Sequence, residues 1–159
     1  MDRPLNEAPI GPDGYMRQAL LLAQEAAEAG EVPIGAVVVQ GGAITGRGAN
    51  RTRRDGVVNA HAELLALMEA ERRAGDYRLE DAELYVTVEP CLMCLGAIHQ
   101  ARVRRLCYGA AEPKFGALVS RYDLLGHPSF GQLMIVGGLL ADESAALLGR
   151  FFSGLREQK

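Results

Sequence analysis

Val88–Cys94 reads VEPCLMC, and the residues on either side of it decide what kind of fold this is. Before it runs an apolar stretch, Ala82–Pro90 (AELYVTVEP), which ends at a proline. Straight after comes a helical pattern, Cys91–Val103 (CLMCLGAIHQARV). Proline closes a strand and is tolerated at a helix start. The spacing therefore predicts a buried strand feeding a helix whose first turn carries both cysteines. Residues three apart on one turn face the same way. A helix N-terminus also favours the thiolate form.

The same alternation continues outward. Gly14–Gly30 reads as a helix with Met16, Ala19, Leu20, Ala23, Ala26 and Ala27 on one stripe and Gly30 as its stop. Val32–Gly48 reads as a β-hairpin turning at Gly41-Gly42. Its run AVVV lacks alternation, so that strand is expected to be covered on both faces. Ala60–Gly75 is a second helix, with Ala62, Leu64, Leu65 and Met68 as its inward face. Arg104–Ala111 is a strand. Residues 112–128 are irregular, with a short helix around SRYDLL (Ser120–Leu125). Gln132–Gly138 is a fifth strand, and a C-terminal helix covers about 140–157. Strands alternating with helices after a leading hairpin give an α/β fold: a mixed sheet covered by helices.

At 159 residues the chain suits one domain, 1–159, with residues 1–13 expected to be flexible. Three cysteines are too few, and odd in number, for a secreted disulfide framework. The N-terminus has no basic start followed by an apolar run, and no stretch reaches the ~20 apolar residues that span a bilayer. The expectation is a cytoplasmic protein with reduced thiols and no membrane contact. A net charge of −3 provides no general basic footprint for nucleic acid, although Arg51, Arg53 and Arg54 cluster locally and Arg150 and Arg156 lie on the last helix.

Cys91-x-x-Cys94 alone fits a redox dithiol or part of a zinc site. A structural zinc site would bring a second ligand pair, and Cys107 stands alone in an apolar strand, where cysteine usually fills core. Upstream, however, Ala60–Leu65 (AHAELL) supplies His61 and Glu63 at a helix entrance. His61, Cys91 and Cys94 are three ligands that suit zinc, and three ligands leave a fourth position for water. Zinc brings the pKa of such water down towards ~7. Glu63 is then the proton shuttle. Residues two apart diverge in mid-helix, so His61 and Glu63 converge only if His61 is not yet helical. Each residue alone has an ordinary explanation, a cap or a dipole partner. Together they match H-x-E…P-C-x-x-C, the signature of zinc deaminases.

With those residues in place the chain resembles the cytidine deaminase-like superfamily, and within it the bacterial tRNA-specific adenosine deaminases. Beyond the zinc motif, EVPIGAVVV (31–39), GRGANR (46–51), NAHAELLAL (59–67), DAELYVTVEPCLMCLGAI (81–98), YGA (108–110) and LADESAALLGRFF (140–152) follow that family in order. The resemblance runs from about Tyr15 to Phe152. It implies a five-stranded mixed sheet sandwiched by helices, one zinc ion per subunit, and a homodimer. The implied reaction is hydrolytic conversion of adenosine to inosine at the wobble position of a tRNA anticodon stem-loop. It assigns substrate contacts to Asn50, the Ala62 backbone amide, Glu112, Lys114 and Phe151. The mostly apolar third helix would suit a dimer interface. Three departures stand out: Glu112 replaces the family's usual aspartate, Phe115 stands where the family has a small or polar residue, and the tail SGLREQK is less basic.

The competing enzyme reading is a free nucleobase or nucleoside deaminase of the guanine or cytosine type, which the acidic balance suits. A zinc-stabilised interaction module is a third, but it leaves Glu63 beside an incomplete ligand set unexplained.

Overall fold

The computed structural model describes residues 10–158. Five strands form one sheet in the order β2-β1-β3-β4-β5. The strands are β1 (Gly35–Gln40), β2 (Ala43–Ala49), β3 (Glu83–Val88), β4 (Arg105–Ala110) and β5 (Met134–Val136). β1 pairs antiparallel with β2 and β3, while β3–β4 and β4–β5 are parallel. The hairpin turn holds Gly41 and Gly42 at φ 58° and 79°, the left-handed pair that a two-residue hairpin requires. As expected, β1 is buried on both faces.

Helices α1 (Gly11–Glu28) and α5 (Ala141–Glu157) cover one face; α3 (Ala62–Ala74) and α4 (Leu92–Gln100) cover the other. The period of two in β1 sorts its side chains between them. Val37 and Val39 join Tyr15, Met16, Ala19, Tyr85 and Cys107 in one core. Ala36 and Val38 join Ala62, Ala66, Leu84, Leu95 and Ile98 in the other. Cys107 is fully buried filler, as its strand context suggested. No helix among the described residues is long and apolar enough to cross a membrane.

The structure differs from the sequence reading at four points. α1 begins at Gly11, with Pro12 in its first turn, so residues 11–13 are helical; residues 1–9 lie outside the described ones. A one-turn helix, α2 (Thr52–Asp55), follows β2 unannounced. Residues 120–125 form turns rather than a helix. The N–H groups of Arg121 and Tyr122 go to Gly116 O, and those of Leu124 and Leu125 to Ala117 O and Leu118 O, so the donors a helix would use are already committed.

The fourth concerns the face of α3. Its buried residues are Ala62, Glu63, Ala66, Leu67 and Ala70, while Met68 is exposed and Leu64 and Leu65 are half-buried. The cause lies in β2. A Cβ on Gly48 would sit 2.1 Å from Ala62 O, and one on Gly46 2.0 Å from Ala66 O. α3 therefore lies almost backbone-to-backbone on the sheet. Only alanines fit the seam, and the larger side chains are turned aside.

Candidate metal centre

His61 is the N-cap of α3 and Cys91 the N-cap of α4, both with extended backbone (φ −81°, ψ 147° and φ −76°, ψ 174°). His61 is therefore not yet helical, the condition needed for it to converge with Glu63. Cys94 lies three residues into α4 and is fully buried. β3 and the Gly46/Gly48 seam bring the two helix entrances together. His61 Nδ1 lies 3.4 Å from Cys94 Sγ and 3.8 Å from Cys91 Sγ. The three ligand atoms all fall within 4.8 Å of one another.

These distances fit a tetrahedral metal. Zn–S bonds of ~2.3 Å and Zn–N bonds of ~2.0–2.1 Å at tetrahedral angles set S···N edges of about 3.5 Å. Two thiols and an imidazole are also the donor set that zinc prefers over hard cations. The electrostatics agree. Cys91 is held down at about 4, chiefly by the hydrogen bond from Cys94, with His61 adding to it. Cys94 moves the other way, pushed above the usual thiol range by that same bond and by burial. His61 is raised, first by its hydrogen bond with Cys91, while burial opposes. Such a cluster stabilises a thiolate, the form a metal binds.

Glu63 is 4% exposed, and burial raises its pKa above the ordinary carboxylate range. A buried carboxyl beside a ligand set can carry a proton where an exposed one would stay ionised. Ala62 lies between His61 and Glu63, so its N–H is one of the helix-start donors without an intrahelical partner. Asn50 is buried at the end of β2, its amide donating to Val32 O at 3.4 Å. Glu112 and Lys114 lie on the segment after β4, which is tied to Glu89, two residues before Cys91. The Glu112 carboxylate accepts from Lys114 N at 3.0 Å, and the Lys114 ammonium lies 5.3 Å from the Phe115 ring centroid. Phe151 lines a groove between α1 and α5 with Gln24, Arg53 and Arg150, apart from the His61–Cys91–Cys94 cluster.

Two buried carboxylates escaped sequence reasoning. Glu31 accepts from the N–H groups of Arg53 (3.2 Å) and Arg54 (2.6 Å), fixing the chain just after Asn50. Glu89 accepts from the N–H groups of Glu112, Leu118, Val119 and Ser120, and from the Ser120 hydroxyl. Although burial opposes, these bonds together hold its carboxyl below the usual range. Only its place, one residue before the Pro-Cys pair, could have drawn attention to it.

Comparison with known proteins follows the same lines. The sequence family described as MafB19-like deaminase matches residues 11–153. The tRNA-specific adenosine deaminase of Bacillus subtilis is 43% identical over 146 residues, covering 91% of each chain. That of Agrobacterium fabrum is 45% identical over 139 residues, covering 87% of this chain and 91% of its own. The tRNA(Ile)-lysidine synthase of Deinococcus radiodurans is 49% identical over 144 residues, although the chain spans only 25% of that longer protein. Among solved structures, one from studies of A-to-I editing by tRNA:A34 deaminases at the wobble position superposes with a TM-score of 0.81. It is 44% identical, covering 86% of this chain and 99% of that one. A guanine deaminase from Nitrosomonas europaea superposes with a TM-score of 0.82 at 27% identity, covering 96% of this chain and 88% of its own.

Proposed function

The chain belongs to the MafB19-like deaminase family and, by kinship to the two bacterial enzymes, to the tRNA-specific adenosine deaminases; on that premise we propose that it converts adenosine to inosine at the wobble position of a tRNA anticodon. The observation that carries this is the convergence of His61, Cys91 and Cys94 beside a buried Glu63, in a chain 44% identical to a tRNA:A34 deaminase over nearly that protein's whole length.

His61 Nδ1 and the sulfurs of Cys91 and Cys94 would hold one zinc ion. When bound, zinc supplies the Lewis acidity that makes water a nucleophile at neutral pH. The protein's own residues do the rest. Glu63 takes a proton from the attacking water on its carboxylate oxygen. It delivers that proton to the purine ring nitrogen as the water oxygen bonds to C6. A second proton passes through Glu63 to the amino group, which leaves as ammonia while C6 becomes a carbonyl. Burial of Glu63 supports this role, since the residue must be neutral partway through. The Ala62 N–H and the Asn50 amide are the proposed hydrogen-bonding groups for the base. Glu112, Lys114 and Phe151 are proposed to contact the surrounding RNA.

A homodimer belongs to the same proposal. Leu92 and Met93, between the two cysteines, are 44% and 38% exposed, apolar surface of the kind a second copy would cover. The deciding experiment offers zinc-loaded protein an anticodon stem-loop with adenine at the wobble position, beside free guanine, cytosine and their nucleosides. Inosine in the stem-loop alone is the expected result. Turnover of a free base with an untouched stem-loop would keep the chemistry and replace the RNA substrate with that base.

A further inference from the structure

Residues 112–120 are tied by hydrogen bonds to Glu89 and Pro90, the two residues that precede the candidate ligand Cys91. Glu89, 3% exposed, precedes Pro90 and Cys91. Its carboxylate accepts from the N–H groups of Glu112 (3.2 Å), Leu118 (3.0 Å), Val119 (2.8 Å) and Ser120 (3.1 Å), and from the Ser120 hydroxyl. Ala117 N donates to Pro90 O at 2.9 Å. The approach is close enough that a Cβ on Gly116 would lie 2.4 Å from Glu89 Cδ. The backbone of this segment therefore keeps one position relative to Cys91.

On this fixed segment stands Phe115, 56% exposed and outside both core clusters. Its apolar ring remains in water, so no internal packing explains it. The Lys114 ammonium lies 5.3 Å from the ring centroid. An exposed ring with a cation over it suits a nucleotide, whose base can stack on the ring while its phosphate meets the charge. The location narrows this further. The ring stands at the surface, whereas Glu63 and Asn50 are buried, so it suits a nucleotide outside the enclosed part of the site. The net charge of −3 makes a local cation more valuable for holding a polyanion.

We propose that Phe115, with Lys114 at its side, forms a subsite for the nucleotide next to the target adenine. The inference rests on the RNA reading above and adds to it a residue that reads a neighbour of the target.

The test uses zinc-loaded protein, Phe115→Ala and Phe115→Trp variants, and two sets of substrates: the intact stem-loop, and stem-loops made abasic on one or the other side of the target adenine. Loss of the ring should raise KM for the intact stem-loop about tenfold, with the loss in KM rather than kcat, and should weaken stem-loop binding measured by fluorescence anisotropy by a similar factor. Tryptophan should restore both. With unsubstituted protein, one of the two abasic stem-loops should show the same loss, and Phe115→Ala should then add little to it. Equal KM and Kd for the alanine variant, or a loss that is the same for intact and both abasic substrates, would overturn the proposal. So would a change in particle mass on Phe115→Ala, which would assign the ring to a contact between copies. Failure of the unsubstituted protein to deaminate the intact stem-loop would instead remove the underlying RNA reading, and is distinguished by needing no variant.

Discussion

Glu63 and Glu89 are both buried carboxylates near the ligand set, yet their partners give them opposite work. Glu63 has few donors and is raised by burial, which leaves it able to gain and lose a proton. Glu89 faces four N–H groups and a hydroxyl, which keep it ionised and structural. Glu63→Gln keeps the shape and removes the proton carrier. Metal content should hold at one zinc per subunit while kcat falls at least ~100-fold, the usual size of a positioned acid–base group. Metal analysis with single-turnover kinetics checks this, and retained turnover would remove the shuttle role. Glu89→Gln turns one acceptor into an NH2 group that points at donors. A buried group left in that state costs about 1–3 kcal/mol. For a chain of this length that is a fall in Tm of about 2–12 °C, and limited proteolysis should begin cutting within 112–120. The convergence of His61, Glu63, Cys91 and Cys94 was legible in the sequence because a candidate metal site demands particular residue types at particular spacings. Glu31 and Glu89 were not, because their partners are backbone N–H groups 22 to 31 residues away, and every residue but proline has one.

The elements were legible in kind and misjudged in detail, and α3 shows why. Hydrophobic periodicity weights large side chains, so it nominated Leu64, Leu65 and Met68. The seam is set instead by what β2 lacks, since Gly46 and Gly48 admit the α3 backbone itself. This seam also aims the site, because α3 begins at His61 and carries Glu63. Gly48→Ala should push the start of α3 off the sheet, with an overpacking cost of about 1–3 kcal/mol. Gly35→Ala is the matching control. A Cβ there would lie 2.0 Å from Ala19 O, against α1 on the opposite face, where no ligand sits. Both variants should lose comparable Tm. Only Gly48→Ala should also lose zinc, read as faster release to a chelator. Equal release from the two would mean that the seam does not aim the ligands. The missed turns at 120–125 have a related cause. SRYDLL has adequate helix propensity, but the Ser120 N–H is taken by Glu89 and the next donors reach back to 116–118. Tertiary hydrogen bonds decided that segment.

For the whole molecule, the tension lies between a net charge of −3 and a polyanionic substrate. At least six of the 17 basic side chains have an acidic neighbour. Arg51 pairs with Asp55, Arg73 with Glu69, Arg78 with Asp76 and Arg102 with Glu80, while Arg104 and Arg105 share Glu83. These pairs are exposed or partly so and individually weak, but they reduce the charge offered to phosphate. The grip on RNA should therefore depend on few cations, Lys114 among them, and more on base contacts. Each phosphate neutralised on a single strand contributes about −0.7 to the slope of log K against log salt. Two to four contacts predict a slope of about −1.5 to −3, measured from stem-loop Kd values between roughly 50 and 200 mM salt. Lys114→Gln should flatten that slope by about 0.7 while weakening binding to every stem-loop alike, since a phosphate contact carries no sequence information. A slope near zero in the unsubstituted protein would mean that no charged groove exists, and would return the small-molecule deaminase to first place. A slope far steeper than −3 would mean that further arginines, Arg53, Arg54, Arg150 and Arg156 among them, also meet phosphate.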